Sequence, residues 1–228
     1  MIDQKANAWE QFNRNKAVGD FPQWPNEVLL KIVFGSYLKN RIPLREGIRV
    51  LDVGCGFGNN LLPFLVKGHD CCGVEITEAM AQQTKDILEQ RGFKADICFG
   101  SNRSIPFEDR SFDLLLSINT IHYEAQHDLV EAALKEFHRV LKSNGHLILF
   151  TVGPQHTIIK KAECIKPHCY KIQNYDFRDG SVFYCFETEE FLSQSLKPLF
   201  QNIETGHVTE KLMTRPLDFL IAVGQKGN

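Results

Sequence analysis

A glycine-rich segment directly behind an apolar run constrains the fold of this 228-residue chain more than any other feature. The run Val50–Val53 leads into Gly54, Gly56 and Gly58 at alternate positions, and a helical pattern follows them. Glycines at such a turn permit positive φ angles and allow a ligand to approach the backbone closely. The segment therefore predicts a strand, a tight turn and a helix, with a ligand held at the turn.

The pattern around this segment alternates short β-rich runs with longer amphipathic stretches, which is typical of βαβ units in a mostly parallel sheet. The predicted strands are Ile48–Val53, Asp70–Glu75, Lys94–Phe99, Phe112–Ser117 and His146–Val152. The predicted helices between them are Gly58–Lys67, Thr77–Arg91 and Glu124–Lys142, with Gly92 and Gly145 placed as helix caps or turns.

The flanks predict one domain with additions at both ends of a core at residues 47–153. Residues 1–46 are expected to form a helical cover, with a helix near Asn26–Lys39 behind an extended segment at 21–25 that would lie over a pocket mouth. Residues 154–186 are expected to form an irregular insertion or lid. Residues 187–228 predict a helix capped by Thr188 and a hairpin of strands Asn202–Lys211 and Leu217–Gln225.

Charge and cysteine content restrict the classes of partner and compartment. Lys and Arg total 26 against 28 Asp and Glu, a net charge of -2, which does not favour a general nucleic-acid binder. The cysteines are odd in number, and Cys71 and Cys72 are adjacent, which favours reduced thiols. Without a signal-peptide pattern, and with apolar runs far short of the ~20 residues that span a bilayer, we expect a soluble, cytoplasmic protein.

Two acidic residues indicate the ligand. Asp52 lies just before the glycines, and Glu75 ends the next predicted strand, where a carboxylate accepts hydrogen bonds from both hydroxyls of a ribose. A dinucleotide is disfavoured because the third glycine of G-x-G-x-x-G is absent and because a diphosphate ~4 Å from Asp52 would cost roughly 4 kcal/mol at an effective dielectric of about 20. A ribonucleoside with a cationic end, such as S-adenosylmethionine, fits the pair.

Four segments carry a resemblance to a known family: VLDVGCGFGNN, GVEIT, FGSNRSIPFEDRSFDLLLSINTIHY and HRVLKSNGHLILFTVGP. In order and spacing they resemble the successive motifs of class I S-adenosylmethionine-dependent methyltransferases, of the methyltransferase type 11 kind that acts on small molecules. The resemblance implies a Rossmann-like, doubly wound α/β fold with helices on both faces. Its sheet would have seven mostly parallel strands, with the last strand antiparallel.

The resemblance also implies the cofactor contacts, with S-adenosylhomocysteine as product. The glycine loop, with Cys55 and Asn60, would line the methionine and ribose, Asp52 would lie at the amino-acid end, and Glu75 would hold the ribose. Ile76 would pack on the adenine. Relatives present an Asp to the adenine amino group, whereas this chain has Ser101 and Asn102, either of which would accept that bond more weakly. The methionine would lie over Ser117 and Asn119.

The acceptor contacts are predicted from residues near the same edge of the sheet. His122, followed by Tyr123, can titrate near neutral pH and is the first candidate for a general base or substrate anchor. The alternative, a His that only packs under the next helix, is weighted equally. Trp24 and Glu27 are the other candidates: Trp24 precedes, and Glu27 ends, a Pro-Asn-Glu run that resembles the entry segment of some small methyltransferases associated with sugars and surface polysaccharides. Ordinary helix initiation explains the same run.

The functional hypotheses differ in class. The leading one is a methyltransferase that acts on an O or N atom of a small molecule, a sugar or polysaccharide precursor being one candidate. The alternatives are a non-catalytic S-adenosylmethionine-binding subunit and, less favoured, a dinucleotide-dependent oxidoreductase. No nucleic-acid partner is expected, because the chain lacks an extended basic tract. Its fourth-strand motif is also Ser-Ile-Asn-Thr, whereas methyltransferases that act on the amino groups of bases have a motif of the Asn-Pro-Pro-Tyr type. No metal is expected either, since His156, Cys164, His168 and Cys169 do not have zinc-ligand spacing.

Overall fold

A sheet of seven strands forms the middle of the structure, a computed structural model that describes residues 9–12, 24–213 and 215–228. In chain order its strands are β1 (Arg49–Val53), β2 (Asp70–Glu75), β3 (Asp96–Phe99), β4 (Phe112–Ile118), β5 (Leu141–Val152), β9 (Phe200–Leu212) and β10 (Arg215–Lys226). They lie in the order β3-β2-β1-β4-β5-β10-β9, and β10 runs opposite to the other six. The predicted fold class is confirmed.

Helices cover both faces of this sheet. They are α1 (Glu27–Phe34), α2 (Leu62–Leu65), α3 (Glu78–Gln90), α4 (His127–Val140), α5 (Thr157–Lys160) and α6 (Glu189–Leu196), with a 3-10 turn at Ile121–Tyr123. One apolar core packs α4 and α6 against the sheet, and a second packs α1, α2 and α3 against the other face. Because both faces are covered, β4 is apolar throughout its middle, with Leu114, Leu115 and Leu116 fully buried.

Capping residues set several helix ends as the sequence predicts. The hydroxyls of Thr77 and Thr188 accept hydrogen bonds from backbone N–H groups three residues ahead, at 3.1 and 3.0 Å, and so begin α3 and α6. Gly92, with a φ of 82°, follows the end of α3 in the left-handed conformation that glycine tolerates best. These signals are local, which is why sequence alone locates them.

The segment at residues 154–186, which we call the lid after one of its two predicted roles, is ordered where the sequence predicted irregular structure. Residues 154–186 contain α5 and a second, antiparallel sheet of β6 (Glu163–Lys166), β7 (Cys169–Lys171) and β8 (Val182–Tyr184). Strands β6 and β7 are joined by Pro167 and His168, and His168 has a φ of 62°. A Pro followed by a positive-φ residue is typical of a type II turn. The prediction missed it because the strands have three or four residues and a His occupies the position that glycine usually takes.

Three smaller predictions differ from the structure. Helix α1 ends at Phe34, not Lys39, because Gly35 turns away and a Cβ there would lie 2.3 Å from the Lys31 carbonyl. Helix α2 is shorter than predicted, since the residues before it form successive turns. Within β5, near its start, Asn144 and not Gly145 adopts positive φ, at 63°. The predicted extended segment at 21–23 lies outside the described residues.

Candidate functional site

The site lies where the sheet reverses its winding order, at the carboxyl ends of β1, β2 and β4. Gly54, Gly56 and Gly58 follow β1, each with positive φ. A Cβ on Gly54 would lie 2.3 Å from a Thr120 methyl, and one on Gly58 would lie 2.9 Å from the Leu88 side chain. A Cβ on Gly56 would meet nothing within 4 Å. Two of the glycines therefore serve protein packing, and Gly56 borders open space.

The Glu75 carboxylate is tied to this loop. It is 4% exposed, Oε1 accepts a hydrogen bond from the Gly56 N–H, and Oε2 accepts one from the Ile76 N–H at 3.2 Å. Burial raises its pKa to about 7, and the two N–H donors oppose that rise. Each oxygen keeps a further lone pair, so the carboxylate can still accept from a vicinal diol.

Asp52 is a buried carboxylate without a partner. It is 1% exposed, and neither oxygen has a hydrogen-bond partner among the described residues. Burial raises its pKa to about 8, and the nearby charge of Glu75 adds to the rise. Because an isolated buried carboxylate is unfavourable, this position favours a ligand that brings a positive charge or hydrogen-bond donors.

Further unpartnered polar atoms lie at the same edge of the sheet. Within the described ranges they are Oδ1 of Asn119, Nδ1 of His122 and Oγ1 of Thr151, which belong to the ends of β4 and β5 and the 3-10 turn. Asn119 has a φ of 60° and donates its N–H to the Phe150 carbonyl at 3.0 Å, so its strained backbone is held in place. Since buried polar groups in proteins are normally paired, this group indicates a ligand site.

The segment after β3 lies on the other side of the loop. Ser101 exchanges two backbone hydrogen bonds with Ser104, at 2.9 and 3.1 Å, which closes a tight turn. Asn102 is 9% exposed, and its Nδ2 donates to the Thr120 carbonyl at 3.3 Å. Ile76, at the end of β2, is partly exposed. Because β2 and β3 pair with Glu75 opposite Phe99, the residues predicted to contact adenine all follow the ends of two neighbouring strands.

Ser117 and Thr120 form a support beneath the glycine loop. Ser117 is fully buried, and its hydroxyl pairs with that of Thr120 at 2.9 Å. The Thr120 methyl fills the space that the missing Cβ of Gly54 leaves. The sequence did not single out Thr120, because its contacts depend on how β4 is placed against β1.

Two loop residues that were predicted to bind the cofactor have structural partners. Cys55 is buried against Gly73 of β2, where a Cβ would lie 2.6 Å from its sulfur. Oδ1 of Asn60 accepts a hydrogen bond from the Asn26 N–H at 3.0 Å. Asn26 in turn caps α1 by accepting from the Leu29 N–H at 3.1 Å. Asn60 therefore fastens the N-terminal helix to the glycine loop.

His122 differs from the prediction in its chemistry. It is 3% exposed, and its ring lies 4.7 Å from that of Tyr123 and 4.6 Å from that of Phe183, centroid to centroid. Burial lowers its pKa to about 3, and the positive charge of Arg178 adds to this effect. The expectation that His122 titrates near neutral pH is therefore wrong, and the imidazole is neutral at pH 7.

The lid brings an arginine and several aromatic rings over Tyr123. Arg178 is ion-paired with Asp176 and also interacts with Tyr123. Its guanidinium lies 5.1 Å from the centroids of the Tyr175 and Phe177 rings.

The described part of the N-terminal segment adds two more rings. Trp9 packs edge-on against Tyr123 and Phe177, at 5.5 and 4.8 Å between centroids, and Phe12 stacks on Phe177 at 4.0 Å. The described part of the N-terminal segment and the lid therefore meet above Tyr123.

The two remaining predicted acceptor residues, Trp24 and Glu27, lie at and just before the start of α1. Trp24 is 80% exposed, and Glu27 forms a 2.6 Å ion pair with Lys31, which lowers the pKa of its carboxyl. Glu27 also borders a cleft of about 350 Å³ between the start of α1 and the terminal hairpin. Its lining is mainly apolar: Asn26, Glu27, Val28, Phe150, Val208, Glu210, Leu217, Phe219 and Ile221.

Comparisons with known proteins find a methyltransferase domain in the middle of the chain. A family model described as a methyltransferase domain matches residues 51–149. The Bacillus subtilis protein named uncharacterized methyltransferase YcgJ is 36% identical over 104 residues, which are 44% of this chain and 39% of that protein. The chain spans less than half the length of the first curated relatives it matches.

Solved structures share the fold. A SAM-dependent methyltransferase from Methanosarcina mazei superposes with a TM-score of 0.68 at 21% identity, over 81% of this chain and 94% of its own. The 1,6-didemethyltoxoflavin-N1-methyltransferase of Burkholderia thailandensis, solved with its substrate and S-adenosylhomocysteine, superposes with a TM-score of 0.60 at 20% identity, over 80% and 72%.

None of the helices in the described residues is long and apolar enough to cross a membrane. No three His, Cys, Asp or Glu side chains in the same residues are arranged to hold a metal ion.

Proposed function

We propose that this chain, whose residues 51–149 match a methyltransferase domain, transfers a methyl group from S-adenosylmethionine to a small-molecule acceptor. The observation that carries the proposal is the unpartnered Asp52 beside Glu75 at the glycine loop. A cofactor that is cationic at its methionine end and carries a ribose diol satisfies both carboxylates at once.

The residues present fit this cofactor. Glu75 would hold the ribose hydroxyls, Asp52 would lie near the ammonium and sulfonium charges, and the open side of Gly56 would admit the ligand against the backbone. When bound, S-adenosylmethionine would supply an electrophilic methyl group that is transferred in line to an acceptor atom, with S-adenosylhomocysteine as the leaving group. The task left to the protein is to hold the acceptor at that carbon and to exclude water.

His122 is the proposed anchor for the acceptor. Its imidazole is neutral and its Nδ1 has no described partner, so it can accept a hydrogen bond from an acceptor O–H or N–H. Its lowered pKa makes it a weak base, which favours orientation of the acceptor over proton removal. Tyr123 and the lid at residues 154–186 would close this side of the site against solvent.

The cleft beside α1 supports a small-molecule acceptor. Its volume, about 350 Å³, is in the range of sites that enclose small ligands. It is linked to the cofactor side by two contacts: Phe150 holds the backbone of Asn119, and Asn26 is bonded to Asn60. A non-catalytic cofactor-binding subunit would have no need of such a cleft. A relative from Mus musculus is named a probable tRNA methyltransferase 9B, so RNA is the acceptor class to test against.

The proposal is tested in two steps with the full chain. Calorimetry is expected to show binding of S-adenosylmethionine and S-adenosylhomocysteine and no binding of nicotinamide dinucleotides, and the reverse result contradicts it. The protein is then incubated with methyl-labelled S-adenosylmethionine and either a small-molecule extract or bulk tRNA. Label in the small-molecule fraction, lost in Asp52→Ala, is expected. Label in tRNA alone would overturn the acceptor class.

A further inference from the structure

A buried polar cluster connects the turn after β3 to the 3-10 turn. Oε1 of Glu124 accepts from Nδ2 of Asn102 at 3.1 Å, and its Oε2 accepts from Nε of Arg103 at 2.8 Å. Glu124 is 7% exposed and follows Tyr123 directly. None of the sequence motifs includes it, and its contacts are made by its side chain across 21 and 22 residues of sequence.

This cluster determines which end of the Asn102 carboxamide is available. Its nitrogen lies within hydrogen-bond distance of Glu124 Oε1 and of the Thr120 carbonyl. Both are acceptors, and neither can donate, so the carboxamide cannot be reversed without placing its oxygen against two other oxygens. The Asn102 oxygen is therefore held on the side that faces away from Glu124 and the Thr120 carbonyl. None of the described residues donates a hydrogen bond to it.

The orientation matters because a carboxamide has a hydrogen-bond donor at its nitrogen and an acceptor at its oxygen. An Asn that is free to rotate can offer either a donor or an acceptor to a ligand, and so distinguishes weakly between an amino and an oxo group. An Asn whose nitrogen is held by a carboxylate offers only an acceptor. A 6-amino purine donates to that oxygen, whereas a 6-oxo purine places a second acceptor against it and is rejected.

We propose that Glu124 is a positioning residue, which fixes the Asn102 carboxamide so that its oxygen accepts from the adenine amino group and excludes 6-oxo purines. This inference rests on the proposed function, since it concerns the nucleoside end of the same cofactor. It gives Glu124 a role through Asn102 and no direct contact with the cofactor.

The test compares S-adenosylhomocysteine with S-inosylhomocysteine, in which an oxo group replaces the 6-amino group. Calorimetry with the full chain gives the ratio of the two dissociation constants. In Glu124→Gln the side-chain amide can donate to Asn102, which allows the carboxamide to reverse. We expect the preference for the adenine compound to fall about tenfold, the scale of one exchanged polar contact.

Glu136→Gln is the matched control. Glu136 is also a partly buried carboxylate that holds this region, since it accepts from the Ile105 N–H at 2.8 Å and pairs with Arg139 at 2.8 Å, but it does not contact Asn102. We expect its ratio to equal that of the wild type. If Glu124→Gln does not fold, Asn102→Ala tests the same point, because removal of the oxygen should lower the ratio while Glu124 keeps Arg103.

The outcomes separate the two proposals. If the wild type binds S-adenosylhomocysteine but the ratio is unchanged in Glu124→Gln or in Asn102→Ala, Glu124 only ties the turn in place and this inference is wrong. An equal fall in Glu136→Gln would also overturn it. If the wild type binds neither compound, the proposed function itself fails.

Discussion

The hydroxyl of Thr84, in the middle of α3, donates a hydrogen bond to the carbonyl of Gly56. Gly56 donates its own N–H to Glu75, so both backbone polar groups of this glycine are held. Thr84 is 1% exposed, and its hydroxyl also lies 2.9 Å from the Met80 carbonyl within its own helix. The position of the Glu75 carboxylate therefore depends on a helix residue that is remote from the loop in sequence.

Replacement of Thr84 by Val keeps the side-chain shape and removes the hydroxyl. We expect Thr84→Val to weaken binding of S-adenosylhomocysteine about tenfold, because the Gly56 peptide loses its support and Glu75 loses its alignment. Thr84→Ser should restore affinity to within about twofold. Calorimetry checks both. Thr188→Val, which removes a helix cap away from the site, should leave the affinity unchanged, and wild-type affinity in Thr84→Val would contradict the role.

Asp52 should make the ligand-free protein less stable as pH rises. Its folded-state pKa of about 8 is above its ordinary value of 3.8, so the folded state holds the proton more tightly than the unfolded state. This contribution to stability is complete below pH 3.8 and is lost as pH rises toward 8. Glu75, with a pKa of about 7, acts in the same direction.

Urea unfolding of the wild type and of Asp52→Asn, at several pH values between about 5 and 9, measures this effect. For one proton the free energy of unfolding changes by at most about 1.4 kcal/mol per pH unit. We expect a shallower fall with pH in Asp52→Asn, because the amide resembles the protonated acid. Parallel curves for the two proteins would show that Asp52 is paired in solution.

Two variants separate the anchoring role of His122 from packing. His122→Phe keeps the ring contacts with Tyr123 and Phe183 but lacks Nδ1, whereas His122→Ala loses both. We expect both to lower kcat/KM at least about tenfold on the acceptor found by labelling, with less than about a twofold change in S-adenosylhomocysteine affinity. An active His122→Phe would assign His122 to packing alone. The pH profile should show no inflection near pH 6.5 from this residue, because burial lowers its pKa to about 3.

Trp9 offers an optical readout of the contact between the N-terminal segment and the lid. The chain has two tryptophans, so Trp24→Phe leaves Trp9 as the single fluorophore. Since Trp9 packs against Phe177 at 4.8 Å, we expect Phe177→Ala in that background to shift the emission to the red and to increase acrylamide quenching. Trp9→Phe leaves the 80% exposed Trp24 as a control, which should not respond to Phe177→Ala. An unchanged Trp9 spectrum would refute the contact.

Local signals in the sequence account for the correct predictions. Strand β2 has the predicted bounds, Asp70–Glu75, because an apolar run there is bounded by turn residues. The helix starts behind Thr77 and Thr188 depend on hydrogen bonds within three residues. The glycine loop with Asp52 and Glu75 predicted the family and its cofactor because both acids have fixed positions relative to neighbouring parallel strands.

The missed features depend on contacts between distant parts of the chain. Thr120, Glu124 and Arg178 acquire their roles only when β4, the turn after β3 and the lid are brought together. The lowered pKa of His122 has the same origin. Phe183 packs on the ring, and the positive charge of Arg178 disfavours the protonated imidazole; both residues belong to the lid. No pattern of spacing within one segment contains this information.

The bond between Asn60 and Asn26 has a thermodynamic consequence. It joins the loop that would grip the cofactor to the first turn of α1, which forms one wall of the cleft proposed for the acceptor. A cofactor that draws the loop inward would also shift that wall, so the two ligands would bind cooperatively. Such coupling is reciprocal: whatever the first ligand contributes to the affinity of the second, the second returns to the first. Either ligand would then raise the affinity for the other, whichever of the two binds first.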